Sequence, residues 1–185
     1  EGAIVSVYFA SGNSAACFTH HLRIQSADVG KDVEVPVPAS ILEMSMDREV
    51  HLIYIVNAAQ GQVVSRLVTY GVENEIGLPK PLYPGDPGLT VQDGMLPVDE
   101  SGKTPMTIET RGMVEGDQLT MFFGFRPYGP VLYSSTGIKP SDIARGHIRF
   151  DFPVLPQSGK DVVCMSIVER PSGRVSGSIK KFRIS

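Results

Sequence analysis

EGAIVSVYFA (residues 1–10) and EGDQLTMFFGF (residues 115–125) are two versions of one pattern: Glu-Gly followed by a short run rich in apolar and β-branched side chains. At a constant offset of 114 (115 − 1), Val5, Val7 and Phe9 meet Leu119, Met121 and Phe123, and Ile24 and Asp28 meet Ile138 and Asp142. The first three pairs are alternate positions, one face of a strand. With one residue of slippage, Val33, Val35, Val37 and Pro38 meet Ile148, Phe150, Phe152 and Pro153. A small deletion then sets EVHLIYIVNAAQGQVVS (residues 49–65) against DVVCMSIVERPSGRVSG (residues 161–177), so that Val50, Ile55, Val56, Gly61 and Val63 meet Val162, Ile167, Val168, Gly173 and Val175. The slippages fall in loops. A repeat of roughly 110 residues is the size of one β-sandwich domain.

The local signals agree with strands. Segments 3–10, 32–38, 49–56, 118–125, 147–152 and 161–168 are short, rich in Val, Ile, Phe and Tyr, and bounded by Gly, Pro, Ser or Asn. Helical periodicity is confined to short stretches at 39–46 and 141–145. The 14 Pro and 19 Gly suit tight turns better than crossover helices. The expected fold class is all-β, two tandem sandwiches spanning residues 1–76 and 77–185, with a Pro-rich linker at 74–88 (NEIGLPKPLYPGDPG) that sets the domains end to end. The expected cores are Val5, Val7, Phe9, Val33, Val35, Val37, Val50 and Leu52, then Leu119, Met121, Phe123, Ile148, Phe150, Phe152, Val162 and Cys164. The second copy carries two further strands, about 89–98 and 105–113, ahead of Glu115. The first copy has no counterpart of them, so the sequence leads to the expectation of a first domain truncated at its N-terminus, with an unpaired sheet edge and one side of its core uncovered.

The stretch VEVPVPASILEMSMDREVHLIYIVNAAQGQVVSRLVTYGV (residues 33–72) resembles the later half of the tandem immunoglobulin-like repeats of large bacterial surface proteins and adhesins. A strand ends in Pro, a short turn follows, and Val-x-Leu-x-Tyr-x-Val (Val50, Leu52, Tyr54, Val56) leads to a Gly hairpin and a last strand introduced by Ser65. The second copy departs from it with Ser166 in place of Tyr54. The resemblance implies an immunoglobulin-like fold and an extracellular or cell-surface module in a longer chain of neighbouring repeats, acting as a spacer or adhesive segment. The alternative is a glycan- or protein-binding accessory module of a secreted enzyme or toxin. A host or cell-surface protein or glycan is the partner either reading would engage.

Charge and composition narrow the other classes. A net charge of −3 and a pI near 5.8 provide no basic field for a phosphate backbone, so nucleic acid is not an expected partner. No apolar run reaches the ~20 residues of a membrane span. CFTHH (residues 17–21) invites a Cys-His nucleophile, but on a strand Cys17 and His20 point to opposite faces, and Cys17 and His21 stand roughly 13 Å apart. Cys17 and the adjacent histidines therefore read as surface positions. Cys17 and Cys164 are not equivalent in the repeat and are expected as two free thiols, with Cys164 buried. Asp86, Asp93, Asp99 and Glu100 offer oxygen ligands near the linker, but they lack calcium-loop spacing and read as turn residues. Arg170, Arg174, Lys180, Lys181 and Arg183 read as a solvated sheet edge. No Gly-x-Ser-x-Gly elbow, phosphate loop or dinucleotide fingerprint is present, so no catalytic residue, cofactor or metal is expected. The candidate recognition loop is FRPYGPVLY (residues 125–133), where Arg126 and Tyr128, two residue types common at binding hot spots, stand between prolines.

Overall fold

The computed structural model describes residues 2–72, 80–81, 95–96, 98–126, 131–153 and 160–184; side chains of 80–81, 95–96 and 126 are not described. The molecule is mostly β, built from antiparallel sheets. It divides into two compact units, Glu1–Tyr83 with Ser176–Ser178, and Pro84–Val175 with Ile179–Ser185. Apart from 80–81, the Pro-rich segment 74–88 lies outside the described residues.

In the first unit β1 (Ile4–Ser11), β2 (Cys17–Arg23), β3 (Arg48–Ala58), β4 (Gly61–Val64), β5 (Val68–Val72) and β6 (Lys80–Pro81) form one sheet in the order β2-β1-β3-β5-β6, with β4 on β3. A helical turn, α1 (Ala39–Met44), links its halves. In the second unit β7 (Met95–Leu96), β9 (Gln118–Arg126), β10 (Val131–Gly137), β12 (Asp161–Glu169) and β13 (Val175–Ile184) form a sheet in the order β10-β9-β12-β13-β7. Across its face lies a two-stranded sheet of β8 (Lys103–Glu109) and β11 (His147–Pro153), preceded by the short helix α2 (Pro140–Arg145).

The registers repeat at the offsets read from the sequence. Val5 pairs with Leu22 and Val56, and 114 or 112 residues later Leu119 pairs with Thr136 and Val168. The Glu-Gly motif explains itself in both units. Gly2 donates its N–H to the Ile24 carbonyl at 2.9 Å, and Gly116 donates to the Ile138 carbonyl at 3.2 Å. Both glycines need a left-handed backbone, φ 76° and 89°, which a side chain would resist. A second signature follows downstream: Asp28 Oδ2 accepts from the Gln25 N–H (2.8 Å), and Asp142 Oδ2 accepts from the Lys139 N–H (3.1 Å), each carboxylate closing the start of a helical turn.

The second unit is a sandwich with one face closed. Leu119, Met121, Phe123 and Phe125 of β9 and Val162, Cys164 and Val168 of β12 pack against Ile148, Phe150 and Phe152 of β11, with Met106 and Ile108 of β8 alongside. All eight residues expected in this core are in it. The Phe123 and Phe152 rings stack at 5.2 Å, and the Phe123 ring meets Phe125 edge-on at 5.3 Å.

The first unit departs from expectation in two ways. Segment 32–38 is not a strand; Val33 is 44% exposed, and Val35 and Val37 are only half-buried. In the second unit the matching β11 exists because it pairs with β8, and no described strand lies beside 32–38. An extended segment becomes a strand only through a ladder of hydrogen bonds with a neighbour. The phase of β1 also differs. Ser6, Tyr8 and Ala10 are buried, while Val5 and Val7 are only half-buried, and Leu52 of β3 likewise. Phe9, Val50 and Val72 form a small core on the other face under Val37, Ile41 and Leu42. IVSVYFA is a near-continuous apolar run, and such a run marks a strand covered on both faces rather than on one.

Candidate functional site

A polar cleft lies in the second unit, where β8 runs out and α2 hands over to β11. Its construction begins with the strand register, which sets Glu109 opposite His147. One step further, Thr110 donates its N–H to the Gly146 carbonyl at 3.0 Å, while its hydroxyl reaches the Asp142 carbonyl at 3.4 Å. Gly146, at φ 81°, ends α2 and turns the chain into β11. Beyond Thr110 the turn Arg111–Val114 is held from below. Arg170 donates from Nη2 to the Gly112 carbonyl, the Asp117 carboxylate accepts from the Val114 N–H at 3.0 Å, and Arg170 Nε stands 3.7 Å from that fully buried carboxylate. The cation beside it compensates a charge that would otherwise be costly to bury.

These elements enclose an open cleft of about 540 Å³ lined by Thr107, Glu109, Arg111, Met113, Ile143 and His147, among others. An acid, a guanidinium and an imidazole stand beside two apolar side chains, with Ile143 39% exposed and Met113 half-buried. Such a lining can orient a polar ligand by hydrogen bonds while covering its apolar part. Glu109 and His147 sit at the outward positions of their strands. Nothing in the sequence joins them, because their register spans 38 residues of chain (147 − 109).

The residues singled out from sequence are dispersed. Arg126 ends β9 opposite Asp161, and Tyr128 lies outside the described residues. Along β2, Cys17 faces Ala10, His20 faces Val7 and His21 faces Ser6, so Cys17 and His20 take opposite faces of the sheet. His21 Nδ1 lies 2.9 Å from the Ser6 hydroxyl, and the His20 ring stacks on Phe18 at 6.0 Å. Cys17 corrects the expectation of a surface thiol: it is 4% exposed because it stands at the covered start of β2, while His20 and His21 further along the strand are exposed. Cys17 and Cys164 are both free and buried, and burial pushes both thiols above their usual range, Cys164 strongly. A thiol held protonated in this way is a poor nucleophile.

Asp99 is occupied by its own turn. Its Oδ1 accepts from the Ser101 hydroxyl (2.7 Å), the Ser101 N–H (2.9 Å) and the Lys103 N–H (2.9 Å). The Ser101 hydroxyl, then the Lys103 amide, hold this exposed carboxyl below its ordinary range. Asp86 and Asp93 lie outside the described residues. Among the described residues no group of three His, Cys, Asp or Glu is placed to hold a metal ion, and no helix is long and apolar enough to cross a membrane. Within the basic cluster, Arg170 supports the cleft, and Arg183 Nε pairs with Asp161 at 2.9 Å. No protein-family model and no curated protein matches the chain.

Proposed function

We propose that the chain is a non-enzymatic, extracellular module of immunoglobulin-like type that serves as a spacer or adhesive segment of a bacterial surface protein. One observation carries this reading: the two units repeat the same registers, the same Gly-to-carbonyl bond and the same Asp-closed turn at matching positions. Copying one sheet unit along a chain lengthens it without inventing new packing, which suits a stalk. The buried thiols and the separated histidines support binding or spacing over covalent catalysis.

The test places one, two or four copies of the chain beneath an adhesive tip of known ligand on a bacterial surface. Capture of ligand-coated beads under shear should rise with copy number. Capture independent of copy number would contradict the spacer role, and an acyl- or glycosyl-transfer activity abolished by Cys17→Ser or His21→Ala would contradict the non-enzymatic reading. The cleft favours a second reading, an accessory module that binds glycan or protein. On glycan and protein arrays that reading expects a reproducible ligand whose binding falls at least tenfold in Arg111→Ala, about the loss of one charge-assisted hydrogen bond.

A further inference from the structure

Three polar side chains converge on the cleft of the second unit without a use inside the protein. Glu109, Arg111 and His147 all line it, all are exposed, and none makes a side-chain hydrogen bond or ion pair with another described residue. The other cations of the region are taken. Arg145 Nη2 stands 3.6 Å from Asp142, Arg149 Nε donates to Asp151 at 2.8 Å, and Arg170 is held by Asp117 and the Gly112 carbonyl. Among the described arginines here, Arg111 is thus the one left to meet a ligand, and the bonds beneath its turn fix where it stands. The opposite wall is fixed by the strand register. The bond from the Thr110 N–H to the Gly146 carbonyl puts those two residues in the hydrogen-bonding phase, so Glu109 and His147, the next pair along, form a non-bonded pair, the kind whose side chains come closest together.

The chemistry of this lining selects among ligands. An inorganic anion would satisfy Arg111 but would bring only acceptors to Glu109, whose carboxylate also only accepts. A neutral sugar can donate hydroxyls to Glu109, but among the described residues no Phe, Tyr or Trp lines the cleft to stack on its ring. A peptide main chain finds that of the turn engaged: the Thr110 N–H bonds Gly146, the Met113 N–H bonds Thr110, the Val114 N–H bonds Asp117, and the Gly112 carbonyl accepts from Arg170. A ring that carries both a carboxylate and hydroxyls meets every group present. Its carboxylate takes the paired donors of the guanidinium, its hydroxyls donate to Glu109 and bond His147 and Thr107, and its C–H face lies on Ile143 and Met113. The cleft volume of about 540 Å³ falls within the range of small-ligand sites.

We propose that the cleft binds a pyranose bearing a ring carboxylate, the sugar-acid unit of an acidic glycan. The proposal rests on the reading of the chain as a glycan- or protein-binding module and names the chemistry of the ligand. Arg111 clamps the carboxylate, and Glu109, by repelling it and accepting from hydroxyls, sets which way round the ring lies. The competing occupant is a zwitterionic amino acid, whose ammonium would go to Glu109. The two part in the sign of the Glu109 contribution: its charge opposes a sugar acid and favours an ammonium.

The probes are methyl glucuronide and methyl N-acetylneuraminide as two kinds of sugar acid, methyl glucoside as the neutral counterpart, and leucine as the zwitterion. Each is titrated into the isotope-labelled full chain to about 50 mM, above the millimolar Kd expected of a single ring. At least one sugar acid should shift the amide signals of Glu109, Arg111, Gly112 and His147 to saturation, with the glucoside at least tenfold weaker. Arg111→Ala, at an exposed position, should keep the unfolding midpoint and lose about tenfold in affinity, the order of one charge-assisted hydrogen bond, and Arg111→Lys should recover only part of it. Glu109→Gln should tighten the sugar acid about two- to fourfold by removing a like charge at a water-exposed site, and added salt should weaken binding to the parent. The proposal is overturned if the glucoside binds as tightly as the sugar acids, if leucine alone binds and Glu109→Gln weakens it, or if Arg111→Ala binds like the parent; in the first two cases the cleft remains a binding site. If none of the four probes shifts these signals the proposal falls, and the binding reading of the cleft falls with it only if the glycan and protein arrays are blank as well.

Discussion

Phe123→Ala removes the ring on which the second unit's core converges. Phe123 has no exposed surface, stacks on Phe152 at 5.2 Å with planes 10° apart, and meets Phe125 at 5.3 Å and 73°. Truncating a buried Phe costs about 3–5 kcal/mol through lost transfer energy and the cavity left behind. Two ring pairings, each worth about 0.5–1.5 kcal/mol beyond area, place the expected loss at the upper end, about 4–5 kcal/mol. For a unit of this size each kcal/mol moves the unfolding midpoint by about 4–8 °C, so the second unit should melt at least ~15 °C lower. The chain has no Trp, and its two units need not unfold together, so the assay is urea titration with hydrogen exchange by mass spectrometry, which reports each unit separately. Peptides from β9, β11 and β12 should lose protection at lower urea while peptides from β1 and β3 keep theirs. A loss below ~1 kcal/mol would refute the assignment of Phe123 to a tightly packed sandwich interior.

Gly116→Ala should cost about 1–2 kcal/mol in urea unfolding, because φ 89° lies in the left-handed region, and Gly2→Ala should cost a similar amount at φ 76°. Arg170→Ala leaves the buried Asp117 carboxylate without its cation and frees the Gly112 carbonyl; stability should fall by about 2–3 kcal/mol, and exchange across residues 111–114 should quicken. Cys17 and Cys164 should resist a thiol reagent at pH 8 in the folded chain and react fully in denaturant, a native reaction of Cys164 at the free-thiol rate being the contrary result. Burial raises both folded-state pKa values above the ordinary thiol value of 9.0, so their contribution to stability is complete below that pH and is lost as pH climbs above it; Cys164→Ala should flatten the alkaline decline.

The repeat was legible because its marks are local. A Gly with positive φ, an Asp three residues after a turn begins and an alternating apolar run each declare their geometry within a few residues, and each recurs at the same offset. The core of the second unit was legible for the same reason, since HIRFDFP alternates cleanly and is buried on alternate residues. Residues 32–38 show the limit. VEVPV has the alternation of a strand, but strand formation depends on a neighbour, and the described structure provides none. The β1 phase was hidden because Ser6, Tyr8 and Ala10 look like the wet side of IVSVYFA until the second face is seen to be covered, and Cys17 was misplaced for the same reason. The cleft could not be read at all: Glu109, Arg111 and His147 are ordinary outward residues until the β8–β11 register and the Arg170–Gly112 bond bring them to one rim.

The claim beneath all of this is that two sheets of one chain share a register, one with β8 and β11 over its face and one with no strand over its face among the described residues. Cross-strand nuclear Overhauser effects in the isotope-labelled full chain test it most directly. The account predicts contacts for Val5 with Leu22 and Val56 and for Leu119 with Thr136 and Val168, contacts for Phe150 with Met106, and no ladder partner for Val35 in the free chain. A register shifted by one residue in either sheet, or a ladder at Val35 in the free chain, would contradict it.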